Sequence, residues 1–151
     1  MTGIKYKILF VCIHNSARSQ MAEAFLNKFG KDQFEAESAG IEPGKLNPNV
    51  VKVMQEVVID LSGKKTQGVF DLYKKGIVYD AVVTVCDAAS AERCPVFPGS
   101  VKRLAWSFED PSSFKGSPEK ILENTRLIRD KIQNTILDFI RDAGQMSFWM
   151  N

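Results

Sequence analysis

Histidine is nearly absent: His14 is the only one in 151 residues. Cysteine is scarce too, at three, and no Cys-x2-Cys pair occurs. Metal centres usually draw on such pairs and on histidine, so these shortages argue against one. Three cysteines do not make a disulfide framework either, so any disulfide is expected to be transient and chemical. Long apolar runs are missing. The first, from Ile8 to Ile13, holds six residues, too few for a signal-peptide core or a membrane span. A cytoplasmic chain without a membrane partner is expected. An excess of charge is missing as well: 20 Lys and Arg against 18 Asp and Glu leave +2, which gives no reason to expect nucleic acid. With no repeat, low-complexity tract or linker, residues 1–151 read as one domain, expected to be monomeric.

What the chain does have is an alternation of strand-like and helix-like segments. Residues 5–12 read as a first strand and 18–29 as a helix that Gly30 stops. Phe34 to Ser38 alternates as a second strand, closed by Gly40. Asn47-Pro48 is a helix start, and the helix is expected to run to about Val58. A short helix is expected over 69–75. Tyr79 to Val85 is a near-continuous apolar strand, as in the middle of a parallel sheet. Residues 86–100 read as irregular, 102–106 as a last strand, and Ser117-Pro118 opens a long helix to about Arg141. Such alternation implies an α/β fold, a parallel sheet with helices on both faces. The tail from Gln145 is unusually apolar, which fits packing onto the domain or onto a partner chain.

The chemistry concentrates between the first strand and the first helix. Cys12 and Arg18 bracket the run Cys12-Ile13-His14-Asn15-Ser16-Ala17-Arg18-Ser19. A strand–loop–helix turn aims backbone N–H groups and the positive helix end into the loop, where a tetrahedral oxyanion fits. A thiol placed there is favoured as thiolate, its nucleophilic form. His14 reads as a solvent-facing loop residue.

Cys86 directly follows the third strand, at the carboxyl edge where Cys12 also sits, and this edge lines the ligand crevice of an open parallel sheet. Cys94 lies eight residues on, in a segment rich in turn signals. A relay of thiol–disulfide exchanges follows: Cys12 attacks substrate, Cys86 attacks Cys12, and Cys94 attacks Cys86. Arg93 is expected to help ionise Cys94, and Asp87 to oppose ionisation of Cys86. Displacing an oxygen needs a proton, and Asp110, held in a turn by Pro111, is the expected acid, with Glu109 behind it.

Four stretches together resemble the thioredoxin-coupled arsenate reductases, which share the fold of the low-molecular-weight protein tyrosine phosphatases. They are Cys12 to Glu23, Ser38-Ala-Gly-Ile, Val83-Thr-Val-Cys86 with Cys94-Pro95, and Trp106 to Pro111. Gln20 and the later cysteine pair favour the reductase branch over the phosphatases. The resemblance implies a three-layer fold with a four-stranded parallel sheet in the order 2-1-3-4. It makes Cys12 the nucleophile on arsenic, with Arg18 and the loop amides from Ile13 to Ser19 holding the arsenate oxygens. Ser19 would donate to the thiolate and Asp110 would protonate the departing hydroxide. Cys86 would release arsenite, and Cys94 would carry the disulfide outward to thioredoxin. No bound cofactor is expected.

Three departures accompany the resemblance. His14 stands where the family commonly has Gly, and the Cys86–Cys94 spacing is one residue longer than expected. Some members bind potassium through the equivalents of Asn15, Glu23 and Ser38 plus an Asp; the three match, but the Asp position falls on Gln67 or Gly68. The alternatives are a low-molecular-weight protein tyrosine phosphatase and a non-catalytic oxyanion or redox-sensing module. For the donor, glutaredoxin with glutathione is the alternative to thioredoxin.

Overall fold

The computed structural model describes residues 5–99 and 101–150. Four strands, β1 (Tyr6–Cys12), β2 (Phe34–Gly40), β3 (Ala81–Thr84) and β4 (Lys102–Ala105), form one sheet in the order β2-β1-β3-β4. All three pairings are parallel, with Cys12 opposite Gly40, Val11 opposite Thr84, and Thr84 opposite Ala105. The expected order 2-1-3-4 is therefore observed. Six helices complete the described fold: α1 (Arg18–Phe29), α2 (Pro48–Gln55), α3 (Val69–Lys74), α4 (Ala88–Ala91), α5 (Pro118–Ala143) and α6 (Met146–Trp149).

The pleat of β1 divides the core in two. Ile8, Phe10 and Cys12 face a large cluster with Met21 and Phe25 of α1, Val50 and Met54 of α2, and Ile128, Ile132 and Ile136 of α5. Leu9 and Val11 face the opposite cluster, with Val69 and Leu72 of α3 and with Tyr79, Cys94 and Phe97. From Ile8 to Cys12, β1 is buried on both faces, which is why that stretch is continuously apolar rather than alternating.

Helix starts follow local chemistry. Asn47 Oδ1 accepts from Asn49 N at 2.8 Å, and Ser117 Oγ accepts from Lys120 N at 3.2 Å. Each cap is followed by Pro at a position whose N–H has no helical partner. The strand read over Tyr79 to Val85 is shorter, Ala81–Thr84, and two further readings depart from the structure. Helix α2 ends at Gln55 rather than near Val58, because Ile59 N turns back to Met54 O at 3.0 Å and puts Val58 in the left-handed region, φ 63°. The segment read as irregular after Cys86 contains α4, which Asp87 caps through Ser90 N at 2.8 Å.

The apolar tail packs onto its own domain. Trp149 stacks on Tyr6 with ring centroids 4.2 Å apart and donates from Nε1 to Ala143 O at 2.8 Å. Phe148 meets Phe139 edge-on at 5.7 Å. Among the described residues, no helix is long and apolar enough to cross a membrane.

Candidate active site

The loop between β1 and α1 is clamped from outside. Its carbonyls at Cys12, Ile13, His14 and Ser16 accept from the amides of Ile41, Glu42, Gly44 and Asn47, at 3.0, 2.7, 2.9 and 2.9 Å. These four bonds hold the loop backbone in place. Gly40 is needed for this packing: a Cβ there would lie 2.8 Å from Asn15 N and from His14 C. The left-handed residue of the loop is Asn15, φ 55°, a conformation Asn tolerates well. His14 therefore needs no glycine-like backbone. It is exposed, as expected, and its Nδ1 lies 2.9 Å from Glu42 O.

Cys12 sits at the floor of this loop, 2 % exposed. Its Sγ accepts from Asn15 N at 3.2 Å and lies 2.9 Å from Ser19 Oγ. Ser19 Oγ itself accepts from Asn15 Nδ2 at 2.8 Å, so its proton is free to point at the sulfur. Helix α1 begins at Arg18 with no side-chain cap on its first amides, which suits them to an anionic ligand.

Arg18 is buried and reaches the loop that follows β4. Nη1 donates to Phe108 O at 3.1 Å, and Nη2 lies 3.6 Å from Asp110 Oδ2. Its Nε is buried and has no partner among the described residues. A donor left so costs about 1–3 kcal/mol until a ligand or water meets it. Asp110 accepts from Ser112 N at 3.0 Å through Oδ1 and caps the short 3-10 turn Pro111–Ser113. The carboxyl is thus fixed by one oxygen and directed towards Arg18 by the other. Glu109 is exposed and shares no such contact.

Cys86 is buried in the same core as Cys12. Burial pushes its thiol upward from the ordinary value; the Arg18 charge pulls the other way, while Cys12 and Asp87 add to the rise. The opposition expected of Asp87 is present. Cys94 lies in the other core, and burial raises its thiol to about 11, with Arg103 lowering it and Cys86 raising it. The cation expected to assist Cys94 was Arg93, but Arg93 instead pairs with Glu42. All three cysteines are free thiols.

A polar chain behind the loop is less plain in the sequence. Asn15 Oδ1 accepts from Gln67 N at 3.0 Å and from Gln20 Nε2 at 3.2 Å. Asn15 Nδ2 donates to Ser38 Oγ at 2.9 Å, and Ser38 donates on to Glu23 Oε1 at 2.7 Å. The other Glu23 oxygen pairs with Lys64. Asn15, Glu23 and Ser38 do come together, as their resemblance to a cation site implies. Lys64 and Gln67 complete the cluster; Gln67 stands at the position weighed for the missing Asp, and Lys64 carried no sequence motif.

A buried thiol under an anion-binding loop, with an arginine and a carboxyl closing over it, marks an enzyme that works on tetrahedral oxyanions. The chain belongs to the low molecular weight phosphotyrosine protein phosphatase family, which matches residues 7–143. Within that family it is similar to arsenate reductases. The arsenate reductase of Bacillus subtilis (strain 168) is 41 % identical over 134 residues, 87 % of this chain and 93 % of that protein. That of Shouchella clausii (strain KSM-K16) is 42 % identical over 133 residues, again 87 % and 93 %. The solved structure of an arsenate reductase in its oxidized state superposes with a TM-score of 0.75 at 28 % identity, over 89 % of this chain and 96 % of that one.

Proposed function

We propose that the chain reduces arsenate to arsenite through a relay of its three cysteines. The observation that carries this reading is Cys86, a second buried thiol set in the same core as Cys12 and under the influence of Arg18. A phosphate hydrolase has no use for a thiol there; a reductase requires one.

Arsenate binds through the loop amides and Arg18. The Cys12 thiolate attacks arsenic and an As–O bond breaks, with Asp110 supplying the proton that lets the oxygen leave as water. Cys86, as thiolate, then attacks Cys12 sulfur. The S–As electron pair stays on arsenic, which falls from As(V) to As(III), and arsenite leaves a Cys12–Cys86 disulfide. Cys94 attacks Cys86, frees Cys12 as a thiolate, and holds the Cys86–Cys94 disulfide for an external dithiol. The proposed dithiol is thioredoxin, in a reducing, cytoplasmic setting. Two electrons and one oxygen are thus accounted for in each turnover.

Arsenate-dependent NADPH consumption with thioredoxin and thioredoxin reductase tests this reading. Wild type should turn over, and Cys86→Ser and Cys94→Ser should not. Because the loop suits any tetrahedral oxyanion and the family includes phosphatases, weak aryl-phosphate hydrolysis is expected beside reduction and should survive Cys86→Ser. Hydrolysis without any arsenate turnover by wild type would replace the reductase reading with the phosphatase one.

A further inference from the structure

The cluster behind the loop does not fit a potassium ion. Such an ion is held by oxygen lone pairs, and the groups of the three matching residues, Asn15, Ser38 and Glu23, are already engaged; Gln20 Oε1 alone is buried without a partner among the described residues. Asn15 Oδ1 takes two N–H donors, from Gln67 N and Gln20 Nε2, so the amide turns its NH2 group towards Ser38. Ser38 O accepts from Gln67 Nε2 at 2.8 Å. The position where a further carboxylate would be needed is Gln67 or Gly68. The second carboxylate oxygen of Glu23, Oε2, is paired with the Lys64 ammonium.

We propose that Lys64 is the resident cation of this loop. Its ammonium takes the place of an inorganic monovalent ion on Glu23 and thereby positions Ser38, Asn15 and Ser19 beneath Cys12. The connection is continuous. Lys64 pairs with Glu23, and Glu23 accepts from Ser38. Ser38 and Ser19 both accept from the one Asn15 amide, and Ser19 meets the sulfur at 2.9 Å. Glu23 can only accept, so Ser38 donates to it and accepts from Asn15, while the two donors on Asn15 Oδ1 fix the same amide to donate the other way, to Ser19. Glu23 is 7 % exposed, and a carboxylate that buried needs a partner charge. An ammonium and a potassium ion are similar in charge and size. Tethering the charge to the chain removes the need to recruit it from solution. Lys64 touches neither substrate nor thiol, so it is a positioning residue. The inference goes beyond the reductase reading, since it holds whatever oxyanion the loop takes.

The test uses the full chain and no arsenate. Thermal unfolding and calorimetric titration with inorganic phosphate are run in potassium, sodium and choline chloride at equal ionic strength. Wild type and Lys64→Arg should behave alike in all three salts. In choline chloride, Lys64→Met should melt roughly 4 °C lower and bind phosphate about tenfold more weakly. Potassium or methylammonium should recover most of both losses, and sodium should not. A potassium-specific rise in the melting temperature of wild type would overturn the proposal. So would a Lys64→Met protein with wild-type stability and phosphate affinity, or one whose losses no cation recovers. If Lys64→Met does not fold, the salt responses of wild type and Lys64→Arg still decide.

Discussion

Arg18 and Asp110 meet at 3.6 Å, although one opens the first helix and the other caps a turn after the last strand. The contact joins the two ends of the oxyanion site. In the proposed reaction it lets the arginine that would hold substrate oxygens also orient the carboxyl that would protonate one of them. Replacing Asp110 by Asn keeps the cap to Ser112 N, because the amide oxygen still accepts, but removes the acid. Arsenate turnover is therefore expected to fall by about 10²–10⁴-fold, while phosphate affinity stays close to wild type. Steady-state kinetics beside a phosphate titration separate the two. An equal loss in both would make Asp110 a binding residue instead.

Gly40 is the point where the second strand touches the loop. A methyl group placed there would press on Asn15 N and His14 C at 2.8 Å, both backbone atoms with nowhere to move. Gly40→Ala should therefore displace the loop and abolish measurable phosphate binding, even though residue 40 touches no ligand. The companion change Gly63→Ala meets nothing within 4 Å and should leave phosphate affinity unchanged.

Much of this site was legible because its signals are local. Cys12, Arg18 and the uncapped helix start lie within one strand–loop–helix unit, where spacing alone fixes their relation. Asp110 and Cys86 were legible as residues just beyond strand ends, where a parallel sheet collects its functional groups. Lys64 was not, since its partner lies 41 residues away and no periodicity marks it; Gln67 was noticed only as the place of a missing carboxylate, and its bond to Asn15, 52 residues away, was not foreseen. Arg93 shows the limit of reading neighbours as partners: beside Cys94 in sequence, it turns to Glu42 instead. The end of α2 was misread for a different reason. A β-branched Val58 in the left-handed region closes that helix, where sequence reasoning looks for Gly or Asn.

The tail offers a stability prediction free of catalysis. Trp149 covers Tyr6 at the start of β1 and ties itself to Ala143 O at the end of α5. Trp149→Ala removes one stacked pair, one hydrogen bond and part of an apolar cover. A loss of about 2 kcal/mol is expected, read from urea unfolding, with unchanged phosphate affinity. A neutral effect would mean that the stack contributes nothing to the fold.

Cys94 carries the prediction that bears on the relay itself. The folded chain holds its proton up to about pH 11, against an ordinary value of 9.0. Between these values the unfolded chain binds fewer protons than the folded one, so stability falls as pH rises through the window and levels above it. Wild type should accordingly lose more stability from pH 9 to 11 than Cys94→Ala, and match its pH dependence below 9. The same burial makes Cys94 a poor nucleophile where it rests, in the core opposite Cys86. It must leave that core before it can attack. Alkylation of Cys94 by iodoacetamide at pH 7, followed by mass spectrometry, should be slow in the fully reduced protein. Backbone amide hydrogen exchange around residue 94 should become faster in Cys94→Ser once arsenate has left that variant trapped with the Cys12–Cys86 disulfide. Releasing the neighbouring Arg93 through Glu42→Gln should raise the reduced-state alkylation rate only slightly, because that pair is exposed and weak. Equal exchange rates in the reduced and trapped states of Cys94→Ser would mean that the first disulfide does not move the segment that carries residue 94. The second exchange would then depend on spontaneous opening alone.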